Sequence, residues 1–268
     1  MHYDRFVVLG DSCAEGLDDP YPGSDQYRGW ADFVAGRLAH DRPGFRYANL
    51  AVRGRRLDQI TAEQLPTARG LAPDLIALFG GGNDVLHRDW DARTVARRVD
   101  AAIRACARLA PTVVTFTLSD ISDRVPFVRR MRPRVTALND AIREASVSYG
   151  TVLVDLWPDQ AAHDSRYFGP DRLHLSEAGH RRVAGHVLGR LGLEHDWLRP
   201  LPGTDVRPGL RGDLRWFREH VAPAMVTRVR NRLTGRSSGD GFLPKRPELR
   251  PVAPSEMDTV GAWAPEAI

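Results

Sequence analysis

Phe6-Val7-Val8-Leu9-Gly10-Asp11-Ser12 is the stretch from which the fold is read. Four apolar residues rich in β-branched and aromatic side chains, stopped by Gly and Asp, describe a buried strand ending in a turn. Ser12 then sits on the rim of a sheet where a helix begins. A serine there is either a nucleophile or the cap of that helix, because Ser is among the favoured residues at a helix start. Taken alone, the cap is the stronger reading, and the segments that follow decide between the two.

The same pattern recurs along the chain. Residues 45–52 read as a second strand stopping at Arg53-Gly54, and residues 75–79 as a third ending in Gly80-Gly81-Gly82-Asn83-Asp84. Residues 113–118 and 152–156 read as the fourth and fifth. Between them lie apolar stripes at helical spacing: about 30–38, about 57–65 before Pro66, about 94–109 with Cys106 on its inner side, and about 133–149. A loop over 167–176 leads to a last helix with Val183, Val187 and Leu191 on one side, capped by Ser176. Strands alternating with helices predict an α/β fold, a parallel sheet covered by helices on both faces. In such sheets ligands bind beyond the carboxyl ends of the strands. Ser12, Gly54, Asn83, and Asp171 with His174 all fall there.

Composition bounds the class. The 268 residues, 42% hydrophobic, can bury a sizeable core. No apolar run is long enough to cross a bilayer, and the acid-bearing start, Met1-His2-Tyr3-Asp4-Arg5, reads as no leader segment, so the expected location is the cytoplasm. Two cysteines, Cys13 and Cys106, make neither a disulfide framework nor a metal cluster. The net charge of +4 comes from basic residues scattered among 34 acids. Without a concentrated basic face, no nucleic-acid partner is expected.

From about residue 195 the character changes. Residues 1–195 are expected to form the catalytic unit, and 196–268 an extension of linker, basic helix and proline-rich tail. Over about 210–234, Leu214, Phe217 and Val221 share a stripe, Pro223 interrupts or restarts the helix, and Met225, Val226, Val229 and Leu233 continue it. Arg211, Arg215, Arg218, Arg228, Arg230 and Arg232 lie opposite. A basic amphipathic helix can lie on an anionic membrane or dock on a protein. More often it packs on its own domain with its arginines solvated, and that is the expectation here.

Acyl transfer needs a nucleophile, a base, an acid that fixes the base's tautomer, and donors for the oxyanion. Ser12, His174 and Asp171, with the Ser12 and Gly54 amides and the Asn83 side chain, fill these roles. Asp11 and Asp84 read as turn-holding residues, Cys13 as packed inward, and His180 as a helix residue without a role.

Gly10-Asp11-Ser12, Gly54 within Asn49-Leu50-Ala51-Val52-Arg53-Gly54, Gly81-Gly82-Asn83-Asp84 and Asp171-Arg172-Leu173-His174 resemble the four blocks of the SGNH hydrolases, also called GDSL esterases and lipases. The resemblance covers about residues 5–192. It departs at Cys13-Ala14, where a Leu commonly follows the serine. It implies a flavodoxin-like three-layer α/β/α sandwich with a five-stranded parallel sheet of order 2-1-3-4-5. It also implies cofactor-free serine hydrolysis of esters through an acyl-enzyme, with catalytic Ser12, Asp171 and His174 and an oxyanion hole of Ser12, Gly54 and Asn83. The substrate would be a small-molecule or glycan ester, its size set by the loops over 18–29 and 119–132.

Two rival readings stand beside this one. A metal-dependent phosphoesterase could use Gly10-Asp11, Asn83, Asp84 and His174, but the two-metal site needs more ligands than the chain supplies. A non-catalytic binding protein could work through the basic segment at 210–234. That every catalytic position is filled argues against it.

Overall fold

The computed structural model describes residues 2–20, 27–40, 42, 44–122, 124–205, 209–234, 237 and 239–252. Strand β1 (Arg5–Gly10) runs into a one-turn helix α1 (Ser12–Glu15), followed by α2 (Trp30–His40) and β2 (Arg46–Asn49). A helix over 57–71, α3, leads to β3 (Leu75–Phe79), α4 (Gly82–Val85), α5 (Ala92–Ala107) and β4 (Thr112–Phe116). Then come α6 (Arg132–Tyr149), β5 (Val152–Val154), α7 (Glu177–Arg190), a helix over 210–233, α8, and β6 (Arg246–Pro251). The six strands lie in the order β5-β4-β3-β1-β2-β6.

Alternation along each strand builds two cores. Phe6 and Val8 of β1 face α2 and α7, packing with Trp30, Phe33, Phe116, Val183 and Val187. Val7 and Leu9 face α3, α5 and α6, packing with Ile60, Val99, Ile103, Leu138 and Ile142. Burial of each large apolar side chain stabilises the fold by about 1.5–3 kcal/mol, so a parallel sheet with apolar residues on both faces demands helices on both. The result is the three-layer α/β/α sandwich. Cys106 is buried in the second core.

Three expectations need correction. The sheet has six strands rather than five, because residues read as a proline-rich tail form β6, antiparallel to β2. Arg46 pairs with Pro251, Tyr47 with Arg250 and Asn49 with Arg246, which covers the backbone groups that β2 would leave open at an edge. Pro247 and Pro251 are tolerated because β6 is itself the new edge. The more distal Pro254 and Pro265 lie outside the described residues.

The second correction concerns Pro66, which does not end its helix. A π turn over Ile60–Gln64 precedes it, and Pro66 enters at the first turn of the α-helical stretch Leu65–Leu71. At that position a missing N–H costs little. The third concerns α8. It too contains a π turn, Phe217–Val221, and Pro223 follows as the second residue of the α-helical stretch Ala222–Leu233, but its apolar stripe faces outward: Leu210, Leu214, Met225, Val226 and Val229 are exposed. The expectation that this stripe packs on the domain therefore fails. The side chains of Arg228, Arg232 and Leu233 lie outside the described set.

Candidate active site

The site grows from the end of β1. Gly10 has φ +151, and a Cβ there would run into the Phe79 carbonyl oxygen on β3, so only glycine lets the two strand ends approach this closely. Gln64, carried on the π turn of α3, clamps the same residue. Gly10 N donates to its Oε1 at 2.8 Å, and its Nε2 donates to the Gly10 carbonyl at 2.9 Å. The cap of α1 is Asp11 rather than Ser12: Asp11 Oδ1 accepts from Cys13 N at 3.1 Å. Ser12 is the first residue of the helix, with its hydroxyl free for other work. Asn49, buried at the end of β2, donates to Ala14 O at 2.9 Å and accepts from Ala51 N at 3.0 Å, tying α1 to the neighbouring strand.

The loop after β5 brings its two residues to Ser12. His174 Nε2 lies 2.9 Å from Ser12 Oγ, and its Nδ1 lies 2.6 Å from Asp171 Oδ2. The other Asp171 oxygen accepts from Leu173 N at 2.8 Å and His174 N at 2.9 Å. Burial works to raise the Asp171 pKa, but the hydrogen bond and charge of His174, with those amides, bring it down to about 2. For His174 burial opposes the charged ring, and the Asp171 hydrogen bond and charge, then the carboxyls of Asp18 and Asp11, outweigh it and raise its pKa above the ordinary value. The geometry thus supplies a hydroxyl, an imidazole able to take its proton, and a carboxylate that fixes the opposite ring nitrogen as a donor.

Asn83 and Ser12 line the same cavity of about 150 Å³. The Asn83 amide donates to Asp11 Oδ2 at 3.1 Å and to the Arg55 carbonyl at 3.2 Å. Gly54 does not line the cavity. It holds the left-handed centre (φ 76) of the turn 52–55, whose Arg55 carbonyl Asn83 grips. Asp84 is buried and structural, accepting from Leu57 N at 2.9 Å and pairing with Arg98 at 3.2 Å. Cys13 is partly buried against the first core. His180 is buried, its Nδ1 accepting from Trp30 N and its Nε2 donating to Leu17 O, and burial drives its pKa to about 3.

The cavity walls are apolar, including Leu86, Leu118, Ile121, Met131, Trp157 and Phe168. The loop over 119–132 contributes to them, as expected. Of the loop over 18–29, residues 21–26 lie outside the described set.

Two groups at the site have no signal in the motifs. Asp18 adopts φ +67, unusual for a residue other than glycine, and its carboxyl falls with those of Asp171 and the His174 ring in a cluster whose atoms lie within 4.8 Å of one another. Burial and the Asp171 charge raise its pKa. Trp216, on α8, donates from Nε1 to the Asp171 carbonyl at 2.9 Å. Next to it, Arg172 (φ +62) pairs with Asp213 at 2.8 Å and lies 4.6 Å from the Trp216 ring. Farther along, Ser237 and Asp240 hold Arg55 at 2.6 and 2.7 Å. The C-terminal segment therefore grips both the Asp171–His174 loop and the turn beside Asn83. No local sequence signal reports this, since those contacts join residues about 40 and 180 positions apart.

An α/β/α sandwich with serine, histidine and aspartate hydrogen-bonded in a row at the carboxyl edge of its sheet is the architecture of a serine ester hydrolase. Residues 8–182 match the GDSL-like lipase/acylhydrolase family, and the chain belongs to that family. It is a hydrolase acting on ester bonds. The fold resembles an acetyl xylan esterase variant from Geobacillus stearothermophilus, with 16% identity, TM-score 0.59, and 72% of this chain and 96% of that one covered. It also resembles a lipase/acylhydrolase from Enterococcus faecalis, with 19% identity, TM-score 0.56, and coverage of 72% and 98%. A third is a GDSL-like lipase from Parabacteroides merdae, with 17% identity, TM-score 0.62, and coverage of 72% and 98%. No curated protein matches the chain. Among the described residues, no helix is long and apolar enough to cross a membrane.

Proposed function

We propose that the chain hydrolyses esters through an acyl-enzyme on Ser12. The observation that carries this is the row Ser12 Oγ, His174 Nε2, His174 Nδ1 and Asp171 Oδ2, spaced at 2.9 and 2.6 Å. Ser12 Oγ attacks the ester carbonyl while His174 takes its proton, and Asp171 stabilises the imidazolium. The C–O bond to the alcohol then breaks, and the alcohol leaves with the proton from His174. Water, deprotonated by the same nitrogen, attacks the acyl carbonyl and frees the acid and Ser12.

The oxyanion is held by the Ser12 amide, which at the first position of a helix has no intrahelical acceptor, and by Asn83. An anion outcompetes a neutral carbonyl for an N–H, so Asn83 turns from Arg55 to the substrate. Gly54, which the family resemblance makes a third donor, does not line the cavity, and its part here is to set the turn whose Arg55 carbonyl Asn83 grips.

The apolar cavity favours an acyl chain over a bare acetyl group. A mostly apolar cavity of about 150 Å³ is about the volume that accommodates benzene, which corresponds to an acyl chain of about six carbons. Incubation with a fluorophosphonate tests the reading: the expected result is a single adduct on Ser12 with loss of activity, unaffected by EDTA, and a hexanoyl aryl ester turned over faster than the acetyl one. Full activity of a folded Ser12→Ala protein would overturn the assignment.

A further inference from the structure

The helix α8 is anchored to the domain along one flank of its apolar stripe, by Trp216 on the Asp171 carbonyl and by Asp213 on Arg172. The stripe itself is open: Leu214 is 71%, Phe217 50%, Met225 57% and Val229 57% exposed. In a regular helix Met225 and Val229 would stand about 80° and about 120° around the axis from Phe217. The π turn over Phe217–Val221 inserts one extra residue, which brings both back to within about 40° of Phe217. The irregularity thus assembles one continuous apolar stripe from two helical pieces. Among the described residues this stripe is left uncovered.

Charge selects what covers this stripe. Residues 210–234 carry six arginines against Asp213 and Glu219, and Arg211, Arg215, Arg218 and Arg230 are exposed. A second copy of the chain would bring an equally basic helix against this one. A nucleic acid would meet the arginines but leave the leucines and the phenylalanine in water. An anionic bilayer satisfies both, with headgroups for the guanidinium groups and acyl chains for the stripe. We propose that α8 docks this protein on an anionic phospholipid surface, with Leu210, Leu214, Phe217, Met225 and Val229 inserted and Arg211, Arg215 and Arg218 on the headgroups. Docking places the Asp171–His174 loop, which α8 grips through Trp216 and Asp213, next to that surface.

Vesicle co-sedimentation of the full chain tests the proposal independently of catalysis. Vesicles of phosphatidylcholine containing about one third phosphatidylglycerol should pull the protein down in low salt, while pure phosphatidylcholine vesicles should leave it in solution. Leu214→Glu with Phe217→Glu should abolish sedimentation. Arg211→Gln with Arg215→Gln should weaken it about 25-fold, at about fivefold for each basic residue. Hydrolysis of a soluble aryl ester and the melting temperature should stay near wild type in both variants, showing that the fold is intact. Equal binding to the two vesicle types, no binding to either, or wild-type binding by the double glutamate variant would overturn the proposal. So would a wild-type dimer that the glutamate variant dissolves, since the stripe would then be an interface between copies.

Discussion

Replacing Trp216 by Phe isolates what the C-terminal segment does for the site. The change deletes one hydrogen bond, Nε1 to the Asp171 carbonyl at 2.9 Å, and keeps an aromatic ring beneath Arg172. A single neutral hydrogen bond contributes about 0.5–1.5 kcal/mol net. If all of it holds the Asp171–His174 loop in its reactive geometry, kcat should fall by about 2- to 12-fold, with KM for a soluble aryl ester little changed. The loop is otherwise held by the Asp171 carboxylate on two amides and by the Arg172–Asp213 pair, so the loss should not reach the roughly 100-fold expected of a misplacement of about 1 Å. Steady-state kinetics across pH, with thermal melting of the same preparations, separate the effects. A positioning role also predicts that the acid limb of kcat/KM moves to lower pH, because a looser Asp171 raises the His174 pKa less. A lower melting temperature with unchanged kcat and unchanged pH profile would refute the reasoning and leave Trp216 as a packing residue only.

Other perturbations have equally definite outcomes. Asn83→Ala should lower kcat by about 10²–10³-fold in a protein that still folds, as read by circular dichroism and steady-state rates. Activity needs neutral His174, whose pKa is raised, so kcat/KM should fall as pH drops through a value above about 6.5. Asp18→Asn removes one of the charges that raise it, and Asn tolerates the left-handed backbone at this position. The acid limb should therefore shift to lower pH; a profile identical to wild type would separate Asp18 from the site. Deleting residues 246–268 uncovers β2, and light scattering should then show more concentration-dependent association than the full chain does; equal association would separate β6 from any edge-protecting role.

The parallel core was legible because each strand closes on a turn signal and each helix shows a clean stripe. Burial on both faces then leaves a single architecture. The row of Ser12, His174 and Asp171 was legible for a related reason. Residues at strand ends are carried to one edge of the sheet by topology, whatever the sequence distance between them. The rest depends on local exceptions. Pro66 reads as a stop until the π turn before it is seen, and that same turn delivers Gln64 to Gly10. Pro247 and Pro251 argue against a strand unless it lies at an edge. Asp18 and Trp216 carry no motif, because their roles arise from a strained loop and from a helix that returns to the site across the chain. Periodicity showed the two apolar pieces of α8 but neither the π turn that aligns them nor the way they face.

The central claim is that the acyl group passes through Ser12. Rapid acid quenching during turnover of a hexanoyl aryl ester, followed by mass mapping of the peptides, tests it most directly. A hexanoyl adduct on Ser12, formed at the rate of the aryl-alcohol burst and absent from Ser12→Ala, is the predicted result. Turnover at the wild-type rate with no acyl group on Ser12 would contradict it.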